Sequence, residues 1–232
     1  MAAKSCGTSP VYASLDAIFS GTSFSFFSCI EVKNTTVLYA EEEVLLKKQG
    51  VKRLIDFCKG RYCAHRALEK MGYHSSPILR DANGAPIWPE EIIGSISHSG
   101  DIATAVVALN AGILGIGLDI QNKSLAFPSK VISILFHNDE VVQFLNVPAQ
   151  LSDLYCYAVF SAKESAIKCF YMAFQYLADL NEIAVEMDLW KGEFKAHIAS
   201  QKSERLPVSD CELTGRIGFT EDYVFSVVWL PR

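Results

Sequence analysis

Ile102-Ala103-Thr104-Ala105-Val106-Val107-Ala108-Leu109-Asn110-Ala111-Gly112-Ile113-Leu114-Gly115-Ile116-Gly117-Leu118 is the stretch on which the fold turns. It is uncharged and close to the shortest length that crosses a bilayer. Thr104, Asn110, Gly112, Gly115 and Gly117 interrupt it, however, and β-branched residues gather on both sides of Asn110-Ala111-Gly112. Two buried strands joined by a tight turn account for both features. A soluble chain follows, with a seam at Asn110–Gly112 dividing it into an N-terminal unit, residues 1–112, and a C-terminal unit, residues 113–232.

Three chemically suggestive stretches lie around this seam. Upstream, Ile93–Ile96 and Ile102–Leu109 read as strands flanking Ser97-His98-Ser99-Gly100. A lone His is commonly structural, but here hydroxyls stand on both sides and Gly100 permits close approach of a ligand to the backbone. Downstream, Asp119 closes the run Gly115-Ile116-Gly117-Leu118. Further on, Phe160-Ser161-Ala162-Lys163-Glu164-Ser165-Ala166-Ile167-Lys168 sits in a helical pattern from Leu151 to Phe174. On a helix Glu164 and Lys168 are i,i+4 neighbours, either a surface ion pair or part of a site. An acid closing a strand, an acid on a helix and a His between hydroxyls together suit a hard metal ion and a phosphate.

The remaining pattern mixes helices and antiparallel strands, an α+β composition. Glu41–Met71 is helical, divided at Gly50 and ended by Gly72. Within it Lys52, Arg53, Lys59, Arg61 and Arg66 stand against the single acid Asp56, a local charge of +4. That is either a solvated face or an anion site. Pro77–Pro89 contains the turn signals Asp81 and Asn83-Gly84 and reads as a hairpin tip. Phe24–Val32 and Thr36–Tyr39 suggest edge strands, Pro128–Leu145 one helix, and Lys202–Asp210 a polar loop. Ile183–Leu189 pairs with Glu193–Ile198 through Lys191-Gly192, and Glu212–Phe219 with Tyr223–Trp229. The halves share element types without a sequence repeat.

The 232 residues suffice for a sizeable core, and 50% hydrophobic with 20% charged residues is a globular composition. A net charge of -5 argues against general nucleic-acid binding. Seven scattered cysteines without a C-x-x-C pair point to reduced, mostly buried thiols and a cytoplasmic protein. No signal peptide is visible: the first apolar run, Phe24–Ile30, is short and broken by serines.

From Lys52 to Lys168 the chain resembles the larger, monomeric class of 4′-phosphopantetheinyl transferases, which serve siderophore, nonribosomal-peptide, polyketide and fatty-acid carrier proteins. The resemblance rests on five motifs in order. These are the Arg53/Arg61 helix, Arg80…Gly84-x-Pro86-x-Trp88-Pro89, Gly94-Ser95-Ile96-Ser97-His98-Ser99, the Gly-x-Asp strand end at Asp119, and Phe160–Lys168. It implies two pseudo-symmetric α+β halves, each an antiparallel sheet packed with helices, with coenzyme A and Mg²⁺ (or Mn²⁺) in the cleft between them. By the same resemblance Arg53 and Arg61 hold the 3′-phosphate of coenzyme A. Arg80, His98 and Ser97 approach its other phosphates, Lys163 and Lys168 attend the pyrophosphate, and Asp119 and Glu164 bind the metal. Where the family usually has Glu, this chain has Gln121, whose amide oxygen can coordinate the metal but brings no charge, so weaker metal binding is expected.

The implied reaction transfers phosphopantetheine to a serine of an apo acyl, peptidyl or aryl carrier protein and releases 3′,5′-ADP. Glu164, directly or through a water, accepts the serine proton, and Lys168 stabilises the leaving group. Phe170 and Tyr171 are either carrier-protein contacts or core. Two rival readings use the same residues: a non-enzymatic coenzyme A-binding protein and a Mg²⁺-dependent pyrophosphate hydrolase.

Overall fold

The computed structural model describes residues 10–30, 38–46, 50–74, 76–199 and 211–232. The expected segment at Thr36–Tyr39 falls partly, and the loop Lys202–Asp210 wholly, outside them.

The central apolar stretch is two strands, β3 (Ile102–Leu109) and β4 (Ile113–Asn122), joined by a 3₁₀ turn at Asn110–Gly112. They do not pair with each other. β3 is the middle strand of a three-stranded antiparallel sheet, between β1 (Ser25–Cys29) and β2 (Ile92–Ser99). β4 is the edge of a five-stranded antiparallel sheet. Beyond it, in spatial order, come β8 (Tyr223–Pro231), β7 (Glu212–Phe219), β6 (Glu193–Ile198) and β5 (Ile183–Asp188). The turn therefore passes the chain from one sheet to the other.

Alternation along β3 explains its continuous apolarity. Ala103, Ala105 and Val107 pack against Cys63, Ala64, Ala67 and Leu68 of α3 (Val51–Lys70). On the opposite face Ile102, Val106 and Ala108 meet Ile116, Leu118 and Ile120 of β4, Phe225 and Val227 of β8, and Leu15 and Ile18 of α1 (Pro10–Phe19). A third cluster lies between the larger sheet and α6 (Ser152–Phe174). Each sheet thus carries one long helix, and a shared core joins the sheets. α1 precedes the smaller sheet in sequence yet lies on β7 and β8, where Arg216 Nη1 donates to Ile18 O at 2.7 Å and Ser20 O at 2.8 Å.

β2 and β4 are edges of different sheets that face each other. The amides of Leu118, Ile120 and Asn122 donate to the hydroxyls of Ser95, Ser97 and Ser99 at 3.0, 3.2 and 2.8 Å. Alternate serines on β2 thus satisfy donors that a bare edge would leave open.

Two expectations about elements need correction. Ser97-His98-Ser99 is not a loop: β2 runs through Ser99, and the turn begins at Gly100, φ 57°. Pro128–Leu145 is not one helix but two, α4 (Ser129–Leu135) and α5 (Asn138–Leu145). The break supplies a buried carboxylate, because Glu140 in the first turn of α5 accepts from His137 N at 2.5 Å and from Val185 N at 2.6 Å. The remaining helix, α2 (Ala40–Glu43), ends well before Gly50, which caps α3.

Candidate active site

Asp119 lies on β4, paired with Ser226 of β8. Strand alternation puts it on the same face as Gly115 and Gly117, and those glycines let α6 lie against the strand. A Cβ at Gly117 would fall 1.8 Å from Ser165 O, and one at Gly115 2.6 Å from Cys169 O. Small hydroxyl residues complete the close approach: Ser226 Oγ donates to Ser161 O at 2.7 Å and lies 3.0 Å from Ser165 Oγ. The Gly-x-Gly-x-Asp spacing thus brings a strand carboxylate against a helix.

Lys168 of α6 reaches that carboxylate. Its Nζ donates to Asp119 Oδ1 and to Leu118 O, both at 2.9 Å, and to Ser97 Oγ at 3.3 Å. Ser97 Oγ also donates to Asp119 Oδ1 at 3.0 Å. Gln121 Nε2 donates to Oδ2 at 2.7 Å. Glu164, one turn before Lys168, accepts no hydrogen bond from the described residues. Burial and then the negative charge of Asp119 push its carboxyl above the ordinary range, Lys168 opposing them. Asp119, bonded to Lys168, and Glu164 beside it supply hard, anionic oxygen donors, which fit Mg²⁺ or Mn²⁺. No group of three His, Cys, Asp or Glu side chains suited to a metal occurs among the described residues, so the rest of such an ion's shell would come from water and phosphate.

The basic cluster of α3 opens onto a cavity of about 630 Å³, lined by Lys52, Arg53, Asp56, Phe57, Arg61, Arg80 and His98 among others. Four fixed cations and a His thus face one carboxylate. Arg61 and Arg80 flank the Phe57 ring at 4.6 and 4.5 Å from its centroid. Arg61 is 4% exposed, and its Nε is buried without a hydrogen-bond partner. Burial draws its guanidinium down to about 10, the Glu42 charge opposing, so it stays cationic near neutrality. His98 Nδ1 lies 3.7 Å from Asp56 Oδ2. Burial lowers the His98 pKa, and Asp56 partly restores it. A second, mainly apolar cavity of about 280 Å³ lies beside Lys168, between the turn Asn83–Pro86 and Ile167, Tyr171, Met172 and Leu177. Ile96 lines both cavities.

Arg53, Arg61, Arg80 and His98 therefore share one cavity, and Asp119, Gln121, Ser97 and Lys168 form one hydrogen-bonded cluster, with Glu164 beside it. Three of the expected residues make contacts that the sequence did not show. Lys163 is fully buried on another face of α6, its Nζ donating to Glu140 Oε2 at 2.7 Å and Leu135 O at 2.5 Å. It cannot attend a pyrophosphate in the cleft. Gln121 turns its amide nitrogen to Asp119 Oδ2 and so orients that acid. Ser97 is 5% exposed and bonded to Asp119, Lys168 and β4, so it braces the carboxylate instead of offering a free hydroxyl. Phe170 is wholly buried core. Asp56 and Asp81, which the sequence marked only as a lone acid and a turn residue, stand beside His98 and Arg80. Asp56 was within reach of sequence reasoning, since it lies one helical turn after Arg53.

A basic cavity with a buried carboxylate–lysine cluster next to it, at the junction of two antiparallel sheets, is an arrangement suited to a phosphorylated ligand. A family model of the 4′-phosphopantetheinyl transferase N-terminal domain matches residues 41–108, and one of the 4′-phosphopantetheinyl transferase superfamily matches residues 115–228. The chain belongs to the 4′-phosphopantetheinyl transferase superfamily. The 4′-phosphopantetheinyl transferase Svp of Streptomyces mobaraensis is 29% identical over 70% of this chain and 66% of its own length. PptT of Mycobacterium tuberculosis is 26% identical over 68% of this chain and 70% of its own. Enterobactin synthase component D of Escherichia coli K12 is 33% identical over 57% and 62%. The matches thus span about two thirds of these relatives.

Proposed function

We propose that this chain transfers the 4′-phosphopantetheine group of coenzyme A to a serine of an apo acyl, peptidyl or aryl carrier protein. The observation that carries the reading is the convergence of the Arg53/Arg61/Arg80/His98 cavity with the Asp119–Lys168–Glu164 cluster at the junction of the two sheets. Two of the relatives are themselves named 4′-phosphopantetheinyl transferases, and a third is a component of enterobactin synthase.

In this reading Arg53 and Arg61 take the 3′-phosphate, where planar guanidinium forks match phosphate oxygens. Arg80, His98 and Lys168 hold the diphosphate, and the apolar cavity beside Lys168 takes the pantetheine arm. Asp119 and Glu164 would hold Mg²⁺, with Gln121 and Ser97 orienting Asp119, and the ion would supply charge neutralisation for the diphosphate. The serine oxygen attacks the β-phosphorus, an O–P bond forms, and the P–O bond to 3′,5′-ADP breaks. Glu164, directly or through a water, accepts the serine proton. Lys168 offsets charge on the departing phosphate. Both halves of the site being present in one chain supports a monomer, and the absence of any disulfide among the six described cysteines agrees with a cytoplasmic setting.

Incubation with coenzyme A, Mg²⁺ and an apo carrier protein tests this. Mass spectrometry is expected to show one phosphopantetheine group on the carrier serine, with Asp119→Asn and Glu164→Gln slowing transfer by ~10²–10³. Coenzyme A binding without turnover, or phosphopantetheine released to water, refutes it in favour of a sensor or a hydrolase.

A further inference from the structure

The basic cavity belongs to α3 and the Arg80 segment, whereas Lys168, Asp119 and Glu164 belong to the other sheet and its helix. A ligand that bridges them needs the two groups at a fixed separation. The serines of β2 fix it at the strand edges. On the open side the tie is Tyr171, one turn after Lys168 on α6.

The Tyr171 hydroxyl donates to Asp81 Oδ2 at 2.5 Å and accepts from Asn83 Nδ2 at 2.9 Å. Asp81 uses its other oxygen on its own turn, accepting from Asn83 N and Ala85 N at 2.9 Å each. The turn is rigid: Gly84 sits at φ 87°, and Arg80 bridges to Pro86. Arg80, the next residue back, lies on Phe57 in the basic cavity. Tyr171 and Asn83 also line the apolar cavity beside Lys168. A continuous set of contacts therefore runs from Lys168 on α6 through Tyr171 and Asp81 to Arg80. We propose that Tyr171 is a positioning residue, a latch that sets the distance between the Lys168 and Arg80 phosphate contacts by holding the Asp81–Asn83 turn against α6. The consequence for coenzyme A rests on the transferase reading above; the latch itself does not.

Tyr171→Phe keeps the ring and removes only the latch. In the full-length protein with coenzyme A, Mg²⁺ and apo carrier protein, the KM for coenzyme A is expected to rise about tenfold. kcat should stay within about threefold and the KM for carrier protein should not move. Asp81→Asn, which leaves the Asn83–Tyr171 bond, should shift the KM the same way by less, and the double variant should be no worse than Tyr171→Phe alone, because that change already removes the Tyr171–Asp81 bond. In the ligand-free protein Tyr171→Phe should speed hydrogen exchange at the Asn83 and Ala85 amides. Unchanged exchange overturns the latch whether or not transfer occurs. Faster exchange with an unchanged KM for coenzyme A, or additive variants, overturns its positioning role. Absence of transfer by the unaltered protein strikes the functional reading instead.

Discussion

Asp119 accepts from an ammonium, a hydroxyl and an amide, and each donor comes from a different part of the chain: Lys168, Ser97 and Gln121. Gln121 stands where a carboxylate would bring a further negative charge. Gln121→Glu is therefore expected to lower the Mg²⁺ concentration giving half-maximal transfer, as read in a metal titration, by about tenfold if the added charge contributes ~1.4 kcal/mol. On the basic side, Arg61→Ala should raise the KM for coenzyme A while leaving that for dephospho-coenzyme A, which lacks the 3′-phosphate, nearly unchanged. Equal effects on both would remove Arg61 from the 3′-phosphate. Lys163 belongs to stability. Lys163→Met leaves Glu140 buried without its cation, at a cost of roughly 3–5 kcal/mol in chemical denaturation. The sequence placed Lys163 beside Lys168 because both flank Glu164. Five residues along a helix, however, rotate a side chain by about 140°, so the two lysines face different surroundings. Only Lys168 keeps the i,i+4 relation to Glu164 that makes a shared face.

At the scale of elements, the decisive contact is α6 on β4. Gly117→Ala puts a methyl carbon into Ser165 O, so the helix must lift and carry Glu164 and Lys168 away from Asp119. Loss of transfer with a fall in thermal midpoint is expected; a variant with full activity would show that the close approach is dispensable. The Gly-x-Gly-x-Asp run was legible as a strand ending in an acid, and the α6 helix was legible from its periodicity, so their meeting was half visible. The alternating serines of β2 were visible too, but not their task. Nothing in a local pattern shows that two sheets meet edge to edge through hydroxyls, because the partner amides lie more than twenty residues away. The break between α4 and α5 was hidden for the same reason. Glu140 caps the start of α5 through His137 N, a local contact, but its other partners come from α6 and β5.

Across the whole molecule, the α+β class and the change of sheet at Asn110–Gly112 follow from the hydrophobic pattern. The placement of α1 does not, since part of its surface, on β7 and β8, lies about two hundred residues away. Long-range polar contacts also set the acid limit of the fold. Glu42 is fully buried; burial alone would raise its pKa, but hydrogen bonds from His65 and from the Ile78 and Tyr39 amides outweigh it and hold the carboxyl below the ordinary 4.5. A lowered carboxyl pKa stabilises the fold above the unfolded value, and that contribution disappears as pH falls through the folded one. Unfolding free energy measured against pH should therefore drop below about pH 4.5, and Glu42→Gln, less stable at pH 7, should show a shallower drop.

The seat of α1 on β7 and β8 has a consequence for how the polypeptide is made. Ribosomes deliver the amino-terminal segment first, yet the strands it rests on are among the last to emerge. During synthesis this helix meets Phe24 and Phe26 first and Ile102 and Val106 of β3 later, whereas the β7 and β8 side of its seat closes only across a loop of about two hundred residues. The seat of α1 is thus completed late, and truncation before β8 uncovers only the part of the helix that Phe225 and Val227 face.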